Sequence, residues 1–141
     1  MVIKYEGYEI KEQEGKVIVN NVMDFNPVHI FECGQCFRWI RQEDGSYIGV
    51  VRDRAATVRY MDGRLEISNT TIEDFKNIWF DYFDLGRDYS EIKRQLAKDE
   101  IMKKAIEFGY GIRLLRQDLW ETLISFIISA NNRIPMIMKV V

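Results

Sequence analysis

The sequence predicts an α+β protein, with short antiparallel strands in its first half and helices in its second. Two observations predict it. Runs rich in β-branched and aromatic residues, separated by acidic-glycine pairs, occupy the early part of the chain. From Thr70 onward the apolar residues change to helical spacing. A hydrophobic share of 47%, with 3 Trp, 7 Tyr and 8 Phe, supplies the material for a core.

The strand runs are Val17–Val19, Cys36–Ile40, Tyr47–Val51, Ala56–Tyr60 and Leu65–Ile67. Glu14-Gly15, Asp44-Gly45 and Asp62-Gly63 between them are hairpin signals, because glycine tolerates the positive φ that tight turns need. Strands joined this closely pair antiparallel, since a parallel crossover takes roughly a dozen residues. Ile72, Phe75, Ile78, Trp79, Tyr82 and Phe83 then mark a helix, with Thr70 and Glu73 as its capping box. A second helix follows Asp88, with Glu91 in its first turn and Ile92 and Leu96 on its inner face. A third spans Asp99 to Phe108 and stops at Gly109. Asp118 and Glu121 repeat the capping pattern ahead of Leu119–Ile128. That helix is apolar nearly all round, so it expects burial between other elements. Pro135 suits the first turn of a last helix running to Val141. Its apolar side chains have little left to pack on, and the sequence reads as a domain cut short.

The net charge of −2 excludes the basic coat of a nonspecific DNA binder. Beyond residue 112, Arg113, Arg116, Arg133 and Lys139 outnumber Asp118 and Glu121, so phosphate contacts are expected toward that end. The two cysteines do not make a disulfide framework. Residues 1–10 carry Lys4, Glu6 and Glu9 and lack a signal-peptide core. Leu119–Ala130 is too short to span a bilayer. The expectation is an intracellular protein, cytoplasmic, nucleoid or nuclear, with no membrane contact.

Two segments carry more specific information. One is Gly34-Gln35-Cys36-Phe37-Arg38-Trp39. The other runs from Gly111-Ile112-Arg113-Leu114-Leu115-Arg116-Gln117-Asp118 through Ser125-Phe126-Ile127 to Ser129-Ala130-Asn131-Asn132. In this order and separation they resemble the 8-oxoguanine DNA glycosylases of the helix-hairpin-helix superfamily, N-terminal part only. The resemblance implies an N-terminal antiparallel sheet with flanking helices (TATA-binding-protein-like) over residues 1–112. Residues 113–141 would then be the first helices of a truncated all-α glycosylase domain. It also implies a partner, double-stranded DNA containing 8-oxoguanine, and a base flipped out of the stack, because a paired base hides its glycosidic bond.

The candidate substrate-binding residues are Gly34, Gln35 and Phe37. N7 of guanine is an acceptor; in 8-oxoguanine it bears hydrogen and donates. By resemblance, the Gly34 carbonyl accepts that bond. One hydrogen bond supplies about 1–3 kcal/mol of discrimination. On the residues alone, Gly34 reads more plainly as relief of a bend before a strand. Phe37 and Trp39 read as core, and Arg38 as a surface or interdomain ion-pair partner. The candidate DNA-binding residues are Asn131, Asn132 and Arg133. By resemblance Asn131 meets the cytosine left without its partner; on the residues alone it reads as a helix C-cap. The family often has an arginine five residues after the first asparagine, to read that cytosine. Here the position is Met136, which cannot donate hydrogen bonds to a base.

The resemblance further implies a lysine nucleophile that attacks the sugar C1′ and an assisting aspartate, both in or after a Leu-Pro-Gly-Val-Gly-like hairpin. Pro27 and Pro135 are the only prolines and neither sits in such a loop. No lysine matches. The reading assigns no catalytic residue, cofactor or metal to these 141 residues and expects the catalytic domain to lie elsewhere. Alternatives remain: a noncatalytic DNA- or protein-binding module, or a thiol or zinc protein built on Cys33-Gly34-Gln35-Cys36. Asp81 and Asp84 read as a solvated face or a helix end.

Overall fold

The computed structural model describes residues 1–141. Its seven strands are β1 (Val2–Tyr5), β2 (Tyr8–Gln13), β3 (Lys16–Val19), β4 (Trp39–Arg41), β5 (Tyr47–Val51), β6 (Arg54–Met61) and β7 (Arg64–Ser68). They form one antiparallel sheet in the order β1-β2-β3-β7-β6-β5-β4. Glu6-Gly7, Glu14-Gly15 and Asp62-Gly63 all have positive φ, as tight two-residue hairpins require. β1 and β2 lie ahead of the first strand read from the sequence. Their charged residues masked them, because this hairpin buries only Ile10 fully.

β4 is shorter than the expected Cys36–Ile40 run and starts at Trp39. Residues 32–38 form a loop rather than a strand. Within it the Gln35 carbonyl accepts a side-chain bond from Gln117, at 2.5 Å.

The core lies between the sheet and two helical segments. One is α1 (Pro27–Phe31), unforeseen in the sequence, which Asn26 caps by accepting from the Val28 N–H. The other runs through α2 (Ile72–Asp74), a π-helical turn (Phe75–Trp79) and α3 (Phe80–Tyr82). Its cap is Thr71 rather than Thr70: the Thr71 hydroxyl accepts from the Asp74 N–H at 3.1 Å. Thr70 is buried and accepts from the Trp79 indole at 2.8 Å instead. The wider turn keeps Ile72, Phe75, Ile78, Trp79, Tyr82 and Phe83 all buried. Around them Phe31 stacks on Trp39 at 4.3 Å, and the Trp39 indole donates to Tyr82 at 2.8 Å.

α4 (Tyr89–Leu96) and α5 (Glu100–Phe108) follow, capped by Asp88 and Asp99. Leu96, expected inside, is 47% exposed, and α5 buries nothing. Residues 111–117 form an extended strap in which Gly111, Arg113 and Leu115 are buried while Ile112, Leu114 and Arg116 are exposed. The strap leads to α6 (Leu119–Ser129) and α7 (Ile134–Val140). The burial expected for α6 is not found here: Leu119 is 88% and Trp120 70% exposed, and only Ser125 is buried. No helix of the structure is long and apolar enough to cross a membrane.

Candidate nucleic-acid interface

The loop at residues 32–38 is set by backbone chemistry. Gly34 has φ 85, and a Cβ there would meet nothing within 4 Å. Glycine is required by the backbone angle, not by crowding, and the loop is open on that side. Gln35 is stitched in place. Its amide donates to the Ile30 carbonyl at 2.9 Å and the Arg113 carbonyl at 2.8 Å, and its side-chain oxygen accepts from the Leu115 N–H at 3.0 Å. Phe37 and Trp39 are buried beneath the loop. Arg38 forms an ion pair of 2.7 Å with Glu121 of α6, the partnership its position suggested.

The cysteines flank the same glycine. Cys33 is exposed and Cys36 buried, and both are free. Burial pushes the Cys36 thiol up to about 12, with Cys33 adding to the effect. A redox pair needs the opposite, a thiol whose ionisation is made easy. His29, the one histidine, accepts the Gly111 N–H at Nδ1, at 3.2 Å.

The strap, which carries the second distinctive segment, is anchored through Arg113. The Arg113 guanidinium is 2% exposed and donates to the carbonyls of Asp24, Asp84 and Met23 at 3.0, 2.8 and 2.9 Å. It also lies 4.5 Å over the Tyr89 ring. Burial draws its pKa down, against Tyr8, Tyr89, Asp24 and Asp84, which favour the charge. Of the two readings given for Asp81 and Asp84, a solvated face or a helix end, Asp84 takes the second, directly after the cap of α3 at φ 50. It is 7% exposed, accepts from Tyr89 at 2.8 Å, and pairs with Arg87 at 2.9 Å and Arg116 at 3.2 Å. Arg113 and Arg116 are thus engaged within the protein, and of the four cations counted toward this end Arg133 and Lys139 make no internal ion pair. The strap alternates in burial, not in polarity: Arg113 and Leu115 are buried, Leu114 and Arg116 exposed.

Asn131, Asn132 and Arg133 lie exposed in the turn between α6 and α7. Asn131 has φ 52, the left-handed conformation that ends helices. Asn132 donates back to the Ile128 carbonyl at 3.3 Å, and its oxygen receives the Arg133 N–H at 2.8 Å. The Asn131 side chain and the Arg133 guanidinium have no hydrogen bond within the protein. Gly34 and α7 share a pocket of about 260 Å³, where Phe31, Phe37 and Tyr47 face Ile134 and Met138. Met136 is 50% exposed.

Seven antiparallel strands backed by helices, with a glycine loop beside a following helix pair, define the class as an α+β domain. More narrowly, the family model described as "8-oxoguanine DNA glycosylase, N-terminal domain" matches residues 2–123, and the chain belongs to that family. It is similar to the N-glycosylase/DNA lyase OGG1 of Arabidopsis thaliana, at 29% identity over 123 residues, covering 79% of this chain and 32% of that protein. Among solved structures it is similar to MBOgg1 in complex with a low-affinity DNA ligand, with TM-score 0.92 and 59% identity, covering 94% of this chain and 46% of that one. It is also similar to the Clostridium acetobutylicum 8-oxoguanine glycosylase/lyase in its apo form, with TM-score 0.90 and 55% identity over 92% of this chain and 46% of that one. The same enzyme bound to double-stranded DNA with cytosine opposite 8-oxoG matches with TM-score 0.90 and 55% identity, covering 45% of that chain. The chain therefore spans about a third of the curated relative and under half of the solved ones.

Proposed function

We propose that this chain is the lesion-reading portion of a bifunctional 8-oxoguanine DNA glycosylase/AP lyase acting in base excision repair. The observation that carries the reading is the open Gly34 loop, held at φ 85 and sharing a pocket with the helix that follows Asn131 and Asn132. In this reading residues 1–112 are the sheet unit. Residues 113–141 begin the helical unit, through a strap bonded to the first. The Gly34 carbonyl accepts the hydrogen on N7 of the flipped lesion, and Phe37 supports the loop from below. Gln35 serves the lesion through the backbone it holds. Asn131 offers donor and acceptor to the unpartnered cytosine, with Asn132 and Arg133 beside it toward phosphate. The exposed apolar side chains of α6 and α7 are the surface against which a catalytic helical domain bearing the lysine nucleophile packs. The protein works where DNA is kept, in a nucleoid or nucleus.

Fluorescence anisotropy with duplexes carrying one 8-oxoguanine or one guanine opposite cytosine tests the reading. The expected result is tighter binding to the lesion, lost in Gly34→Ala. Equal, salt-sensitive affinity for both duplexes overturns it and favours a noncatalytic DNA-binding module. Borohydride trapping with lesion DNA is expected to give no covalent complex with the 141-residue chain; a trapped complex would contradict the assignment of the nucleophile elsewhere.

A further inference from the structure

We infer that Gln35 is a positioning residue that fixes the lesion-reading carbonyl of Gly34 relative to the helix leading to Asn131; the inference rests on the functional reading above. Glycine at φ 85 with open space around it cannot hold its own carbonyl still. Something outside the residue must fix its direction, and the next residue does so from both ends. The Gln35 side chain bonds the Ile30 carbonyl at the end of α1, the Arg113 carbonyl and the Leu115 N–H. Its main-chain carbonyl, one peptide beyond that of Gly34, accepts from Gln117 at the far end of the strap.

The carboxamide is the only uncharged side-chain head that supplies both donors and an acceptor in one plane. Both amide hydrogens and the oxygen are engaged here, so the group is not left over for a ligand. The strap it grips is itself immobile. Arg113 bonds carbonyls of Met23, Asp24 and Asp84. The Leu114 N–H donates to Tyr89 at 2.9 Å, and the Arg116 N–H donates to the Tyr82 carbonyl at 3.0 Å. α6 begins directly after Gln117 and Asp118, and Arg38 pairs with Glu121 in its first turn. Gln35 therefore joins the loop that meets the damaged base to the element carrying the residue for its former partner. Its contribution is to discrimination between bases rather than to affinity for DNA.

The test uses Gln35→Ala, Gln35→Glu and Gln117→Leu in the anisotropy experiment with 8-oxoguanine and guanine duplexes, together with amide hydrogen exchange. Gln35→Glu keeps an acceptor for Leu115 and loses both donors; Gln117→Leu removes only the bond to the main-chain carbonyl. Expected is a fall of about tenfold in the lesion-to-guanine affinity ratio for Gln35→Ala, with smaller falls for the other two. Affinity for the undamaged duplex falls less than affinity for the lesion duplex, and in Gln35→Ala exchange rises at Leu115, whose N–H bonds the Gln35 side chain. A merely structural role would weaken both duplexes together and leave the ratio where it was. If the unmodified chain prefers the lesion and all three variants keep its ratio, this inference alone falls. If the unmodified chain shows no preference, the functional reading falls and this inference with it.

Discussion

Arg113 shows how much of this protein depends on single side chains whose bonding no local pattern announces. Its guanidinium satisfies three main-chain carbonyls from two distant segments. Buried carbonyls without partners are costly, and lysine could not replace a planar fork that reaches all three. Arg113→Met is therefore expected to destabilise the fold by about 3 kcal/mol or more, with a lowered midpoint in urea at unchanged slope; an unaltered midpoint would deny it this role. Gly34 and Asn131 drew notice because each sits in a stretch whose neighbours are distinctive. Arg113 lies in such a stretch too, but its bonding, like that of Asp84, is to partners remote along the chain, and a local reading counted Arg113 only toward the charge of that end.

Among the elements, strand pairing and helix docking follow different rules of legibility. Acidic-glycine turns marked the β2–β3, β4–β5 and β6–β7 hairpins because a hairpin writes its turn chemistry into adjacent residues. The extent of β4 was misread: Cys36 to Arg38 lie in the loop ahead of it, with Arg38 paired to Glu121 of α6. The β4–β5 pairing has a further requirement. Trp39 sits opposite Gly49, and a Cβ at Gly49 would lie 2.3 Å from the Trp39 ring. Gly49→Ala is expected to cost about 1–3 kcal/mol as the indole is forced off its place against Phe31; a lower melting temperature and altered tryptophan fluorescence report it. Helix α4 is held differently, through Asp24. Burial raises that carboxyl's pKa, but hydrogen bonds from Lys93 and Ser90 outweigh it and hold the group below its ordinary 3.8. A depressed carboxylate contributes stability that is present above its unfolded pKa and is lost as pH falls through the folded one. Protection of α4 amides is thus expected to drop in acid below about 3.8. Asp24→Asn should remove that part of the acid dependence while lowering protection at neutral pH.

For the molecule as a whole, the proposed function draws the two ends of the reading site from the sheet unit and from the turn after α6, so on that proposal selectivity for the lesion and for the base opposite it is separable. The expectation that α6 would be buried rested on its composition, whereas burial depends also on the surface a helix meets. Leu119, Trp120 and Ile127 are exposed. On the same proposal, opposite-base reading depends on donors near Asn131. The Asn132 side chain is engaged with the Ile128 carbonyl and the Arg133 N–H, which leaves Asn131 and Arg133 with free polar groups in that turn. Met136 lies in the following helix, half exposed, and adds no donor where the family often places arginine. Asn131 can satisfy cytosine, but without a second fork of donors the penalty for another base is smaller, since fewer polar groups are left unpaired by the wrong partner. Affinity measured for 8-oxoguanine opposite cytosine, thymine, adenine and guanine should therefore span a narrow range. Met136→Arg is expected to widen it by about tenfold in favour of cytosine, the contribution of one good pair of hydrogen bonds to a base edge. Strict cytosine dependence in the unmodified chain, or no change on adding the arginine, would show that the turn after α6 reads the opposite base without help from α7.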